Sequence, residues 1–279
     1  MKGRKANLTL AHLVDTDPEY REWYKNNPTE IHIMDNAAFE LNQQGLPLFD
    51  GNRLDDLALS VGANYVVMTD APGQSSDVTE NFARFQGKRL KSKGLGTFFV
   101  PQSYRGKIGD LINSFIWGLT NPDIDYVALS ILSAPNAFTR SGLSDNAAMM
   151  TRYLSRYHFM RLLEKEIKAE FGISARSLKE KHNKKIHFLG MTEGPNEIEL
   201  MSHVDIPIDT WDSSAPMWYG LRGRKRFDPN SVTGLPDGKY TEHVDFNYRT
   251  NIEEARNMAL DNLEYIDNLV QDYNDRVNP

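Results

Sequence analysis

Short apolar runs, some alternating with period two and some rich in β-branched residues, recur along the chain. Most are followed by a stretch with helical spacing, giving a unit of roughly 30 residues. Leu8–Val14, Ile31–Asp35, Tyr65–Asp70, Thr97–Gln102, Asp125–Ile131, Ile186–Gly190 and Val204–Asp209 read as strands. Helices are expected over residues 52–61, about 76–93, 107–119, 145–171, 196–203 and 251–274. The first of these carries Leu54, Leu57, Ala58 and Val61 on one face and is ended by Gly62. The helix over 145–171 reads as amphipathic, with its Arg and Lys positions on a solvated face. Strand–helix–strand order throughout predicts parallel βαβ construction. Seven strands are visible, and 235–250 is the place for an eighth. The fold expected is α/β, a single (β/α)8 TIM-barrel domain over 1–279 that includes a C-terminal loop and helix at about 217–279. A doubly wound sheet is the alternative, but no Gly-rich phosphate-binding fingerprint follows the first strand.

Composition narrows the function classes. Of the residues, 40% are hydrophobic and 25% charged, ordinary for a soluble globular protein, and the longest apolar runs are too short to span a membrane. Residues 1–5 are basic, but Ala6–His12 is too polar for a signal peptide, so a cytoplasmic protein is expected. With no cysteine there is no disulfide, no thiolate zinc site and no cysteine nucleophile, and no metal or other cofactor is expected. A net charge of −6 argues against broad nucleic-acid affinity, leaving room only for a local basic patch. Arg222-Gly-Arg-Lys-Arg226 is such a patch, with Arg222, Arg224, Lys225 and Arg226 as candidate phosphate contacts. A second cluster, Arg84, Lys88, Arg89, Lys91 and Lys93, reads as mostly surface.

The candidate chemistry lies at the carboxyl ends of the strands, which converge on one mouth in a barrel. Those ends carry Asp35, Asp70, Gln102, Ser130, Gly190, Asp209 and Asp212. One such aspartate is easily a helix N-cap; a series of them points to a polar pocket. Two carboxylates permit nucleophilic attack and general acid–base work at a sugar C1′, where the transition state is oxocarbenium-like. A further carboxylate and an amide suit the edge of a flat heterocycle, and Phe39 with Leu189 or Met191 could sandwich the ring. Phe39 and Leu189 read equally well as core residues, and Gln102 as a partner for loop backbone.

In order along the chain, these segments resemble the tRNA-guanine transglycosylases. Met34-Asp-Asn-Ala-Ala-Phe-Glu40 resembles the family's Asp-Ser-Gly-Gly-Phe/Tyr-Gln motif, and Thr69-Asp-Ala-Pro-Gly73 stands where the family keeps a base-recognising aspartate. Val100-Pro-Gln-Ser103 is similar to its Val-Gln-Gly, and Phe188-Leu-Gly-Met191 to its Leu-Met-Gly-Val. Ile208–Pro216 is similar to the segment holding its nucleophilic aspartate. The resemblance runs from about 31 to 226 and implies a barrel fold. It implies Asp212 as nucleophile and Asp35 as general acid/base. Asp70 and Gln102 would read the base, Phe39 and Leu189 would stack on it, and Gly190 and Ser130 would lie beside it. Asp209 would support Asp212.

Two departures from the family matter. Its structural zinc site of three cysteines and a histidine is missing, and His243 stands alone in that region. Its Gly-Gly pairs are replaced by Ala37-Ala38 and by Ala128 to Ile131. These departures resemble the divergent, often phage-encoded relatives that place 7-deazaguanines in DNA. The expected activity is therefore exchange of guanine in a polynucleotide, DNA before tRNA, for a 7-deazaguanine base. The host cytoplasm would be the compartment if the chain is phage-encoded, and a homodimer is compatible with the family. A hydrolase releasing deazapurine bases from nucleosides and a catalytically silent binding subunit are the alternatives. Retention of both Asp35 and Asp212 argues against the silent subunit.

Overall fold

In the computed structural model, residues 6–138, 145–191, 193–238, 248 and 250–277 are described. The strands are β1 (Ala6–Leu10), β2 (Ile31–Asp35), β3 (Tyr65–Val67), β4 (Gly96–Phe99), β5 (Tyr126–Ser130), β6 (Lys185–Leu189) and β7 (Thr210–Trp211). Between them lie α1 (Ala11–Thr16), α2 (Pro18–Asn26), α3 (Ala38–Gln43), α4 (Gly51–Ser60), α5 (Ser76–Ser92) and α6 (Ile108–Thr120). Next come α7 (Ser133–Phe138), α8 (Asp145–Phe171), α9 (Ala175–Lys181), α10 (Glu197–Met201) and α11 (Ala215–Met217). One wider π turn, Trp218–Arg222, leads on to α12 (Glu253–Val277).

The strands are neighbours in chain order, β1-β2-β3-β4-β5-β6-β7, and the pairs from β1 to β5 are parallel. An order without reversal is that of a barrel-like sheet, not of a doubly wound one, which reverses about its first strand. The expected closed eight-stranded barrel is corrected: seven strands are present among the described residues. Most of 235–250, where an eighth was expected, lies outside them, as does His243. No helix among the described residues is long and apolar enough to cross a membrane.

The chain divides into two compact units. The first, residues 1–129 with 177–187, has a core of Ile33, Met34, Val66, Val67, Phe98, Phe99 and Val127, all essentially buried. The Phe98 and Tyr126 rings stack with centroids 4.2 Å apart, and His187 meets Phe98 edge-on at 5.3 Å. Helix starts are fixed locally. Asp17 accepts from Tyr20 N–H ahead of Pro18, and Asp50 accepts from the N–H groups of Asn52 and Arg53. The basic cluster at α5 is mostly exposed, as expected, and several of its members are paired. Arg89 makes a bidentate pair with the fully buried Asp55, which also meets Lys93 at 2.7 Å, and Lys91 pairs with Asp125. Arg84 lies over the Trp117 ring.

The second unit, residues 130–176 with 188–279, packs Ala215, Tyr219 and Phe227 against Leu235, Tyr265 and Ile266. Buried Asn262 of α12 ties this cluster together. It donates to the carbonyls of Pro216 and Lys225 and accepts from Phe227 N–H. Gly220 is needed where the π turn meets α12, since a Cβ there would lie 2.3 Å from Ala259 backbone.

Three expected elements differ. Of Leu8–Val14 only the part up to Leu10 is strand, and the chain is helical from Ala11. Val204–Asp209 forms no ladder although Val204, Ile206 and Ile208 are buried; the strand is Thr210–Trp211. Pro207 has no N–H to give a neighbour, and Ile208 N–H donates to the Tyr273 hydroxyl at 2.8 Å instead. The period-two burial is real, but the hydrogen bonds go to a side chain of α12. Residues 217–250 are also not wholly loop, because the chain turns helically at Trp218–Arg222.

Candidate active site

In the first unit, polar side chains follow three adjacent strands at their carboxyl ends. Asp35 closes β2 and Asn36 follows it; Asp70 lies three residues beyond β3 and Gln102 three beyond β4. Asn36 Nδ2 donates to Asp70 Oδ1 at 3.1 Å and to the Met68 carbonyl at 2.9 Å, while Gln102 Nε2 donates to Asp70 Oδ2 at 2.7 Å. All three residues are buried. A carboxylate accepts only, so it fixes which end of each amide faces it and hence where the Gln102 carbonyl oxygen stands. Burial raises the pKa of Asp70, and the two amide donors oppose that rise.

Asp35 is half-buried, and its Oδ1 accepts from Ala37 N–H at 2.7 Å. Ala37 has φ +56°, a left-handed conformation that costs an L-residue about 1–2 kcal/mol. The segment resembling the family keeps the backbone that glycine would favour, without the glycine. Phe39, just beyond, is 51% exposed, so it is not a core residue.

In the second unit, the ends of β6 and β7 are joined. Gly190 N–H donates to Asp212 Oδ1 at 3.1 Å, and Asp212 N–H donates to the Phe188 carbonyl at 3.3 Å. Gly190 has φ +73°, and a Cβ there would stand 2.8 Å from Ile131 Cγ2. Glycine is thus required twice over, by backbone and by space. Leu189 and Asp212 are half-buried. Ser130 Oγ accepts from Leu132 N–H, an engagement local to its own turn.

Asp35 and Asp212 accept from loop N–H groups and Asp70 from side-chain amides, whereas Ser213 accepts from Ala215 N–H beside α11. No family model matches the chain, and no curated protein matches it. The likeness to the transglycosylases therefore rests on the motifs quoted above.

The basic run is partly committed within the second unit. Lys225 Nζ donates to the Asp237 and Gly238 carbonyls, Arg226 pairs with Asp261, and Arg222 lies over the Tyr248 ring at 4.7 Å. Arg224 is exposed. Among the described residues no group of three or more His, Cys, Asp or Glu side chains is placed to hold a metal ion.

Sequence reasoning missed two residues. Asn36 lies inside a motif already singled out, and its place next to Asp35 was the available signal. Arg156 of α8 was expected on a solvated face but is fully buried, paired with Glu197. Its register gives it away: Tyr153, Arg156, Met160, Leu163 and Ile167 step by three and four along one buried face. Charge alone was the misleading cue.

Proposed function

We propose that this protein is a base-exchange glycosyltransferase that replaces guanine in a polynucleotide, DNA before tRNA, with a 7-deazaguanine. The observation that carries the reading is the buried Asn36–Asp70–Gln102 row across three adjacent strand ends. Such a row holds a carboxylate and an amide in fixed positions at adjacent strand ends, the kinds of group that read the edge of a flat heterocycle. Phe39, exposed beside that motif, supplies a ring for stacking.

On this reading the Asp212 carboxylate attacks C1′ and guanine leaves as Asp35 protonates it. Asp35 then takes a proton from the incoming 7-deazaguanine, whose nitrogen displaces Asp212 from C1′. Two displacements at one carbon give net retention. C1′ is hidden in a stacked duplex, so the nucleotide has to be flipped out or single-stranded. Exposed Arg224 would meet phosphates, while Arg222, Lys225 and Arg226 would exchange present contacts for them.

The test is incubation with labelled guanine and either single-stranded DNA, duplex DNA or tRNA. Label entering DNA is the expected result. Label entering tRNA alone would move the substrate to RNA, and free base released without incorporation would identify a hydrolase.

A further inference from the structure

Arg156 is the largest fully buried side chain of the second unit among the described residues, and its guanidinium bonds both a buried carboxylate and one turn of backbone. Its Nε donates to Glu197 Oε1 at 2.7 Å, and its Nη2 donates to Glu197 Oε2, so the carboxylate grips the guanidinium in bidentate fashion. The remaining fork faces the end of β6. Nη1 donates to the Leu189 carbonyl at 3.1 Å, and Nη2 to the Gly190 carbonyl at 2.7 Å. The guanidinium carbon sits 4.6 Å from the centre of the Phe188 ring, so the aromatic face holds the charge in place from one side.

The consequence follows from peptide planarity. The Leu189 carbonyl and the Gly190 N–H belong to one trans peptide unit and point in opposite directions. The carbonyl accepts from Arg156 Nη1 and, at 2.9 Å, from Ile131 N–H; holding it there aims the Gly190 N–H the other way, and that N–H is the one bonded to Asp212 Oδ1 at 3.1 Å. Gly190, at φ +73°, is the residue that lets the next carbonyl turn back to the same guanidinium. A charge-assisted bond on the carbonyl also polarises the peptide, strengthening the N–H as a donor.

We propose that Arg156, oriented by Glu197, is a positioning residue for Asp212. It locks the Leu189–Gly190 peptide so that its N–H fixes one oxygen of the carboxylate. The inference rests on the reading of Asp212 as nucleophile, but the peptide lock can be measured without any turnover.

Three full-length variants decide it. Arg156→Lys keeps the charge and loses the fork. Glu197→Gln keeps the shape and weakens the grip on the fork. Asp55→Asn disturbs the buried carboxylate–arginine pair of the first unit and controls for lost stability as such. Hydrogen exchange at the Gly190 amide should accelerate at least about 10-fold in Arg156→Lys and Glu197→Gln and stay at the wild-type rate in Asp55→Asn. In the exchange assay kcat should fall ~10- to 100-fold in the first two, with KM within about threefold, the signature of a misplaced reacting group. Asp55→Asn should keep its kcat. Wild-type protection of Gly190 in both Arg156→Lys and Glu197→Gln would overturn the lock, as would an unchanged kcat. If the wild-type protein exchanges no base, the proposed function fails, and the Gly190 amide still decides whether Arg156 holds that peptide.

Discussion

Asp70 is the residue at which burial and hydrogen bonding oppose each other most directly. Its pKa is raised, first by burial, with the Asn36 and Gln102 amides pulling it back. A carboxyl raised in the folded state keeps its proton at pH values where the unfolded chain has lost it. The folded state then binds more protons than the unfolded one, so stability falls as pH rises from the ordinary value of 3.8 to the raised one. Asp70→Asn should remove that part of the slope, leaving a profile flatter than wild type from about pH 4 upward. Urea unfolding of both proteins at a series of pH values measures it; parallel profiles would show that Asp70 carries no shift. The existence of polar strand ends was legible in the sequence, because each follows an apolar run. Their hydrogen-bond partners were not, since Asn36, Asp70 and Gln102 are far apart in the chain and meet only through strand order.

Elements were legible where local pattern and tertiary burial agree. β2 was read as Ile31–Asp35 and is Ile31–Asp35, because its alternation ends at a polar residue and a turn. The Val204–Ile208 alternation misled because burial with period two does not require a ladder, and Pro207 with the Tyr273 hydroxyl takes the backbone elsewhere. On α8 the cue that failed was charge. Arg156 and Arg89 each lie against a buried carboxylate, and long basic side chains at helical spacing look alike whether solvated or paired. For α5 the consequence is measurable. Arg89→Ala leaves Asp55 inside with Lys93 as its remaining partner, so a loss of about 2–4 kcal/mol is expected. Removing Asp55 as well should restore part of it, since no buried charge is then left uncompensated. A loss under about 0.5 kcal/mol for Arg89→Ala in denaturant unfolding would return the pair to the class of exposed ion pairs.

For the whole molecule, a net charge of −6 makes unspecific attraction to a polyanion weak, so binding has to be local. Lys225 is bonded to carbonyls, Arg226 is paired to Asp261 and Arg222 lies over the Tyr248 ring, whereas Arg224 is exposed; the contacts tested first are Arg224 and its neighbour Arg222. Affinity for single-stranded DNA should fall with salt, and Arg222→Ala/Arg224→Ala should flatten the log–log slope by roughly two units. A slope unchanged in the double variant would place the phosphate contacts elsewhere. The succession of βα units and the count of seven strands were readable from period and spacing; the region expected to hold an eighth, 235–250, lies mostly outside the described residues.

On the proposed function, Asp212 bonds covalently to the sugar while Asp35 handles the proton. Wild type, Asp35→Asn and Asp212→Asn should each be incubated with single-stranded DNA, denatured and resolved for protein–DNA adducts. Asp212→Asn lacks the anionic oxygen that attacks C1′ and should lose base exchange by at least ~10³-fold. Asp35→Asn still permits that attack, so a denaturant-resistant adduct should accumulate with it and never with Asp212→Asn. Equal trapping by both variants, or near-normal exchange by Asp212→Asn, would contradict the assignment.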